Sequence, residues 1–223
     1  SVSDAGQNQV QYLPAADFNG SFAGAQEATA AEASLYDGYL RLEVTLRGLT
    51  PDTGYVYRVG GEGAWSEPAT FVTAGTNNDF SFLYMGDVQE GYSYWGEMLK
   101  NVVADNPGLK FMLMGGDLVN DSDSHNWQQF FAAAEPVFSQ LPLMPAVGNH
   151  DDNKLFWDTF ALPRNGPAGY KEKFYSFDYG NCHITVLNSN LMGVPGFGDN
   201  DRIMAWLRDD LTNSKQRWKF VVL

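Results

Sequence analysis

The sequence predicts an α/β domain preceded by a small antiparallel β module, and three features carry this reading. Short apolar runs at 80–85 (FSFLYM), 109–114 (LKFMLM) and 143–147 (LMPAV) are separated by stretches of helical periodicity, the pattern of a buried sheet with parallel crossovers. Upstream, 39–47 (YLRLEVTLR) alternates without error, with Leu40, Leu42, Val44 and Leu46 on one face and Arg41, Glu43, Thr45 and Arg47 on the other, as a half-buried strand must. Between the two patterns, 73–79 (TAGTNND) is small and polar with little to pack, which places a domain boundary there and divides the chain into 1–75 and 79–223.

In the first part, 10–13 (VQYL) supplies a strand before the alternating run. Pro51, Asp52 and Gly54 give turn chemistry, after which Tyr55, Tyr57 and Val59 alternate with Val56 and Arg58, and 69–73 (ATFVT) adds a further short strand. That makes about four strands where a closed immunoglobulin-like sandwich needs about seven, so the module reads as incomplete at its N-terminus. In the second part, Trp95, Met98, Leu99, Val102 and Val103 mark one helix, and Trp127, Phe130, Phe131, Ala134 and Phe138 another. Tyr175, Phe177 and Tyr179 alternate into Gly180-Asn181, a two-residue turn, and 183–187 (HITVL) returns as the hairpin partner. Asn200 or Asp201 is placed to cap a helix that carries Ile203, Leu207 and Leu211 on one face, and 219–223 (KFVVL) reads as a core strand. There is no internal repeat.

Composition narrows the function. The 223 residues are 44% hydrophobic, which argues against a disordered chain, and 14 basic against 27 acidic residues leave a net charge of −13. Such a field repels nucleic-acid phosphates and anionic lipid, so no nucleic-acid partner is expected. No apolar run approaches the roughly 18 residues that span a bilayer, and residues 1–10 have neither a basic start nor an apolar signal core, so the chain is read either as cytosolic or as one whose export signal has been removed. The single cysteine, Cys182, sits in a strand-like stretch and reads as a small buried thiol.

The chemistry lies where the three apolar strands end. Each is followed by a glycine and a polar residue: Gly86-Asp87, Gly116-Asp117 and Gly148-Asn149-His150-Asp151. In an open α/β sheet the carboxyl ends of parallel strands face one crevice, so Asp87, Asp117, Asn149 and His150 converge although distant in sequence. One Gly-Asp pair after a strand is an ordinary turn, whereas three at successive strand ends are a site. Carboxylates gathered closely repel and take up protons unless a cation neutralises them, and carboxylate with amide oxygen is a hard donor set, so the pattern implies a divalent metal centre. His150, bracketed by Asn149 and Asp151, reads as functional. His125, in NDSDSHN at 120–126, precedes a helix capped by Asp123 or Ser124 and reads first as a loop residue. His183, inside an apolar strand, reads as structural.

GDVQ at 86–89, GDLVN at 116–120 and GNHD at 148–151 resemble, in order and spacing, the calcineurin-like metallophosphoesterases. LRGLTPDTGYVYRVG at 46–60 with WSEPATFVTA at 65–74 is similar to the fibronectin-III-like N-terminal domain of purple acid phosphatases. The resemblance implies a metallophosphoesterase sandwich lacking its C-terminal part, preceded by a partial fibronectin-III-like domain. It implies a phosphatase or phosphodiesterase with two divalent or trivalent ions (Fe, Mn or Zn), Asp87 binding the first, Asp117 bridging both and Asn149 binding the second. Metal-bound hydroxide would attack a phosphorylated small molecule or other phosphate ester while His150 assists the leaving group. An extracellular or cell-surface location goes with the same resemblance.

The departures are specific. The tyrosine that colours purple acid phosphatases falls on Asn120, so no tyrosinate charge-transfer band is expected. Gln89 stands where many relatives have a histidine ligand and is left to bind metal, order a water or touch substrate; Asn120 and His125 are further candidates for metal or substrate contact. The family's later VxxH and GHxH histidines are not in this chain, which is expected to be a fragment, inactive alone and open to self-association through uncovered sheet edges. The competing reading is a non-catalytic surface module that keeps the fold.

Overall fold

The computed structural model describes residues 8–36, 39–61, 63–193 and 200–223. Its first part is antiparallel: β1 (Gln9–Pro14), β2 (Gln26–Thr29), β3 (Ala31–Tyr36), β4 (Tyr39–Glu43), β5 (Gly54–Gly61), β6 (Ala64–Trp65) and β7 (Ala69–Val72). One sheet runs β2-β1-β5-β6 with β7 also paired to β5, and β3 and β4 form a separate hairpin. The strand count expected from sequence was low, because β2 (QEAT) and the start of β3 (AEAS) carry few apolar residues, and β6 has only two residues. The alternating run at 39–47 leaves the ladder after Glu43, yet Val44 and Leu46 still turn inward onto Val10, Tyr12 and Tyr55. Side-chain alternation there reports burial rather than strand pairing. β5 is central, and Tyr55 and Val56 are both buried while Val59 is exposed.

The second part begins with β8 (Ser81–Met85), α1 (Tyr92–Asp105), β9 (Leu109–Gly115), α2 (Ser124–Phe138) and β10 (Leu143–Ala146). The strands are parallel in the order β10-β9-β8. β9 lies in the middle and Phe111 to Met114 are all buried, which is why the strand reads as a continuous apolar run rather than an alternating one. α1 and α2 pack closely where Gly96 faces the Ala133 backbone: a Cβ there would lie 2.6 Å from the carbonyl oxygen. Beside this contact Trp95 stacks on Phe130 with centroids 5.1 Å apart. Leu99 is fully buried, whereas Met98, assigned by periodicity to the same face, is exposed.

The chain continues through α3 (Lys154–Thr159), β11 (Tyr175–Tyr179), β12 (Cys182–Val186), α4 (Asn200–Asn213) and β13 (Trp218–Val222). β11 and β12 are the expected hairpin, and β13 joins β12 in parallel. Aromatic rings glue this sheet to the first: Phe111 meets Phe177 edge-on at 5.6 Å, Phe80 meets Tyr179 at 4.7 Å and Phe82 meets Phe220 at 5.6 Å. The expected core strand at 219–223 is an edge strand instead. In β13 Val222 is buried while Trp218, Phe220 and Val221 are exposed, as is Leu223 just after it. α4 buries Ile203 as expected and starts at Asn200, one of the two residues read as its cap; what precedes it lies outside the described residues.

His183 is structural, as its apolar setting suggested, but its environment is not apolar. Its Nδ1 lies 2.6 Å from Asp178 Oδ1 on β11 and its Nε2 2.9 Å from Asp210 Oδ2 on α4. Asp210 also accepts from Ser176 and Thr185, and Asp178 from Gln216. Burial of the ring pulls its pKa down, but the bonds to both carboxylates outweigh this and leave it above the ordinary histidine value. Burial likewise pushes Asp178 up, and its bonds from Gln216 and His183 hold it below the usual aspartate value. The clasp between hairpin and helix therefore stabilises the fold fully below the ordinary histidine pKa of 6.5, loses strength as pH rises through the raised value, and weakens again in acid below 3.8. Urea denaturation across pH is expected to show stability declining above pH 6.5 in the wild type and a much flatter profile in His183→Gln.

Candidate functional site

The three glycine-polar motifs follow β8, β9 and β10, the third after one further residue, Val147, so the parallel sheet delivers their loops to one edge. The loops are tied by their backbones. Asp87 N donates to Gly116 O at 3.1 Å, Gln89 N to Asp117 O at 3.1 Å, and Asn120 N to Gln89 O at 3.0 Å. Three non-glycine residues here take left-handed backbone: Asp87 (φ 50°), Gln89 (φ 45°) and Asp117 (φ 51°). Each costs about 1–3 kcal/mol unless the surroundings hold it, and strained residues of this kind cluster at functional sites.

Asp117 is the hub. Its Oδ1 accepts the backbone N–H of His150 at 3.1 Å and its Oδ2 accepts Gln89 Nε2 at 3.0 Å, which joins all three loops through one carboxylate. Gly148 makes this possible, since a Cβ at that position would collide with the Asp117 carboxylate and amide nitrogen. Gly116, with φ 89°, lets the second loop approach the third so closely that a Cβ on it would lie 2.8 Å from Gly148 Cα. Asp87 and Asn149 are exposed, and among the described residues neither side chain has a hydrogen-bond partner. His150 is exposed, with Nδ1 2.7 Å from Asn120 O. A carbonyl only accepts, so Nδ1 carries the hydrogen and Nε2 is the nitrogen left for chemistry.

Other candidates are placed differently. Asn120 contributes its backbone carbonyl to His150, and its side chain donates to Asp121 at 3.2 Å. His125 lies in the first turn of α2 with Nε2 2.7 Å from Gln129, one turn along the same helix. Asp123 is the cap of α2, as read from sequence, accepting Asn126 N at 2.8 Å.

Asp151 belongs to the third motif, but the sequence assigned it no role of its own. It is fully buried; Oδ1 accepts Val119 N and Oδ2 accepts Gly148 N, both at 3.1 Å, with Leu118 N as a further donor. Burial pushes its carboxyl above the usual aspartate range against the pull of these amides. Asp151 thus clamps the second loop to the third from beneath. A fourth segment, after β12, also reaches the third loop: Asn190 Nδ2 donates to Gly148 O at 3.1 Å and to Asp152 at 3.2 Å, and buried Asn188 donates to Asp152 at 3.3 Å. No sequence pattern marks these asparagines; only the chain path after β12 does.

The donor types suit a hard cation: two carboxylates with an amide oxygen, and the Gln89 oxygen left over once its nitrogen binds Asp117. Their number is small. Among the described residues no group of three or more His, Cys, Asp or Glu is arranged to hold a metal ion by itself.

Comparison with known proteins fits this geometry. A family model described as purple acid phosphatase, N-terminal domain, matches residues 1–73, and one described as calcineurin-like phosphoesterase matches residues 80–223. The chain is similar to mouse acid phosphatase type 7 (26% identical, 78% of this chain and 41% of that protein). It is also similar to purple acid phosphatase 18 of Arabidopsis thaliana (26%, 86% of this chain and 44% of that protein). It spans less than half the length of these curated relatives. The solved structure of PhoD shares the fold, with a TM-score of 0.62 at 14% identity over 99% of this chain and 56% of PhoD.

Asp151→Ala strips buried amides of their acceptor and is expected to cost about 3 kcal/mol in urea denaturation. Gly148→Ala, which drives a methyl into Asp117, is expected to cost about 1–3 kcal/mol in the same measurement.

Proposed function

The chain belongs to the calcineurin-like phosphoesterase family, and from this and the site we propose that it provides the phosphoester-hydrolysing centre of a metal-dependent phosphatase or phosphodiesterase. The observation that carries the proposal is the Asp117 carboxylate, shared between the loops after β8, β9 and β10. In this reading Asp87, Asp117 and Asn149 would hold a pair of iron, manganese or zinc ions, Asp117 being the anionic carboxylate suited to serve both, and Gln89 would offer its oxygen as a further contact. When bound, such ions supply Lewis acidity that makes water acidic near neutral pH and neutralises phosphoryl oxygens.

The chain's own residues do the rest. The Asn120 carbonyl holds Nδ1–H of His150, so that in the imidazolium form of the ring Nε2–H is the group that passes a proton to the departing alkoxide and Nε2 is left with its lone pair. Gln89 and the His150 amide orient the Asp117 oxygens. The same reading divides the chain into a β module at 1–75 and a hydrolase domain at 79–223, assigns phosphate esters outside the cell or at its surface as substrates, and leaves the outer edge of β13 open to self-association.

A second reading, a non-catalytic module that keeps the fold, is favoured by the absence of a three-ligand acidic or histidine cluster among the described residues. A small donor set binds cations weakly, so hydrolysis by these 223 residues alone is slow.

Hydrolysis of p-nitrophenyl phosphate and bis-p-nitrophenyl phosphate, with and without manganese, iron or zinc, separates the readings when run on this chain and on any longer polypeptide containing it. Metal-stimulated turnover is expected, with Asp117→Asn weakening metal affinity by at least about 100-fold. His150→Ala is expected to lower kcat by about 10²–10⁴-fold, most for esters of poorly acidic alcohols. Equal rates in wild type and Asp117→Asn at every metal concentration would leave the non-catalytic reading standing.

A further inference from the structure

The helix that follows the His150 loop is too short to hold itself. α3 has six residues, far below the roughly 12–15 at which an isolated helix becomes even marginal. Its start is pinned within the second part: Asn153 Oδ1 accepts Leu155 N at 2.8 Å, and Asn153 Nδ2 donates to Ser122 O at 2.7 Å. Its middle is pinned by Phe156, fully buried. Its end is held from the β module. Arg41 on β4, kept in place beside Glu43, sends Nη1 to Phe160 O at 2.6 Å and to Trp157 O at 3.1 Å. These carbonyls lie at the helix C-terminus, where a cation satisfies orphan acceptors and complements the helix dipole.

The geometry points to Arg41 as a positioning residue for the loop that carries Asn149 and His150: a cation from the N-terminal module that fixes α3 and, through it, the donors at its head. The inference rests on the hydrolase reading for what the loop does, and on geometry alone for how it is held. Three residues separate His150 from α3, and the first of them is the Asp151 clamp. Slack at the end of α3 therefore bears on the Phe156 and Asn153 anchors and, through them, on the clamp that lies just before the helix. The module's function toward the site is mechanical: it need not touch substrate to set the rate.

Amide hydrogen exchange and kinetics test this with Arg41→Met, Arg41→Lys and a control, Arg58→Met. Arg58 lies in the same module, between Phe22 and Trp65, and makes its contacts there. Arg41→Met is expected to speed exchange across 150–160 by about tenfold, while Arg58→Met leaves that segment unchanged. Manganese binding and kcat are expected to fall in Arg41→Met with KM little altered, and Arg41→Lys to recover part of both. Unchanged exchange at 150–160 in Arg41→Met, or equal loosening in both Met variants, overturns the inference. If Arg41→Met fails to fold, Arg41→Lys against wild type carries the comparison, with exchange raised about threefold as the expected result and no change as the refuting one. Local loosening in a protein inactive toward every ester supports the brace and refutes the hydrolase reading instead.

Discussion

Gly148 has no side chain, and the Asp117 carboxylate occupies the space that one would fill. Everything at the sheet edge follows from that approach. With Asp117 against the third loop, one oxygen takes the His150 amide and the other takes Gln89 from the first loop, so three segments separated by some thirty residues each share one anionic group. The left-handed backbone at Asp87, Gln89 and Asp117 is tolerable because the loops hold one another by main-chain bonds. Removing the close approach removes the reason for the strain.

A net charge of −13 makes the gathering of carboxylates at this edge costly. The structure disposes of them in two ways. Asp151 is buried and surrounded by amides, and serves the backbone. Asp87 and Asp117 face outward or half outward, where solvent or a cation can meet them. The first kind of carboxylate stabilises architecture and the second is available to chemistry. They sit in motifs that look alike on paper, and what separates them is which way the chain turns after the glycine.

The parallel strands were legible because a strand buried on both faces must be apolar at every position, as 111–114 in β9 shows. The site residues were legible because glycine before a polar residue at three successive strand ends is a pattern of position rather than of composition. β2 and β3 were not legible: an exposed QEAT segment pairs through its backbone, which leaves no trace in side-chain type. β13 was misjudged for the complementary reason, since its apolar composition says nothing about whether a neighbour covers it. The His183 clasp was invisible because its second carboxylate, Asp210, comes from a helix 27 residues away, and no local pattern joins an imidazole in a strand to an acid on a distant helix turn. Asp151 shows the same limit at short range: the motif identified the residue, but not that it faces inward.

Two of the three helices that leave the site loops, α2 and α3, end on the β module. Tyr57 on β5 donates to Ser139 O at 2.8 Å, at the close of α2, as Arg41 does at the close of α3. Between the module and α2 there is an apolar cleft of about 240 Å³, lined by Val10, Val44, Leu46, Phe71, Phe138 and Leu141. Tyr57 lines that cleft and reaches across it to the end of α2, so a hydrogen bond adds to apolar contact in registering the two parts. Hydrogen bonds suit this task because they are directional: a carbonyl at a helix end accepts a donor over a narrow range of positions, whereas apolar surfaces slide. A module attached in this way sets where the helices end. In a short element such as α3, fixing the end and the head leaves little freedom between them.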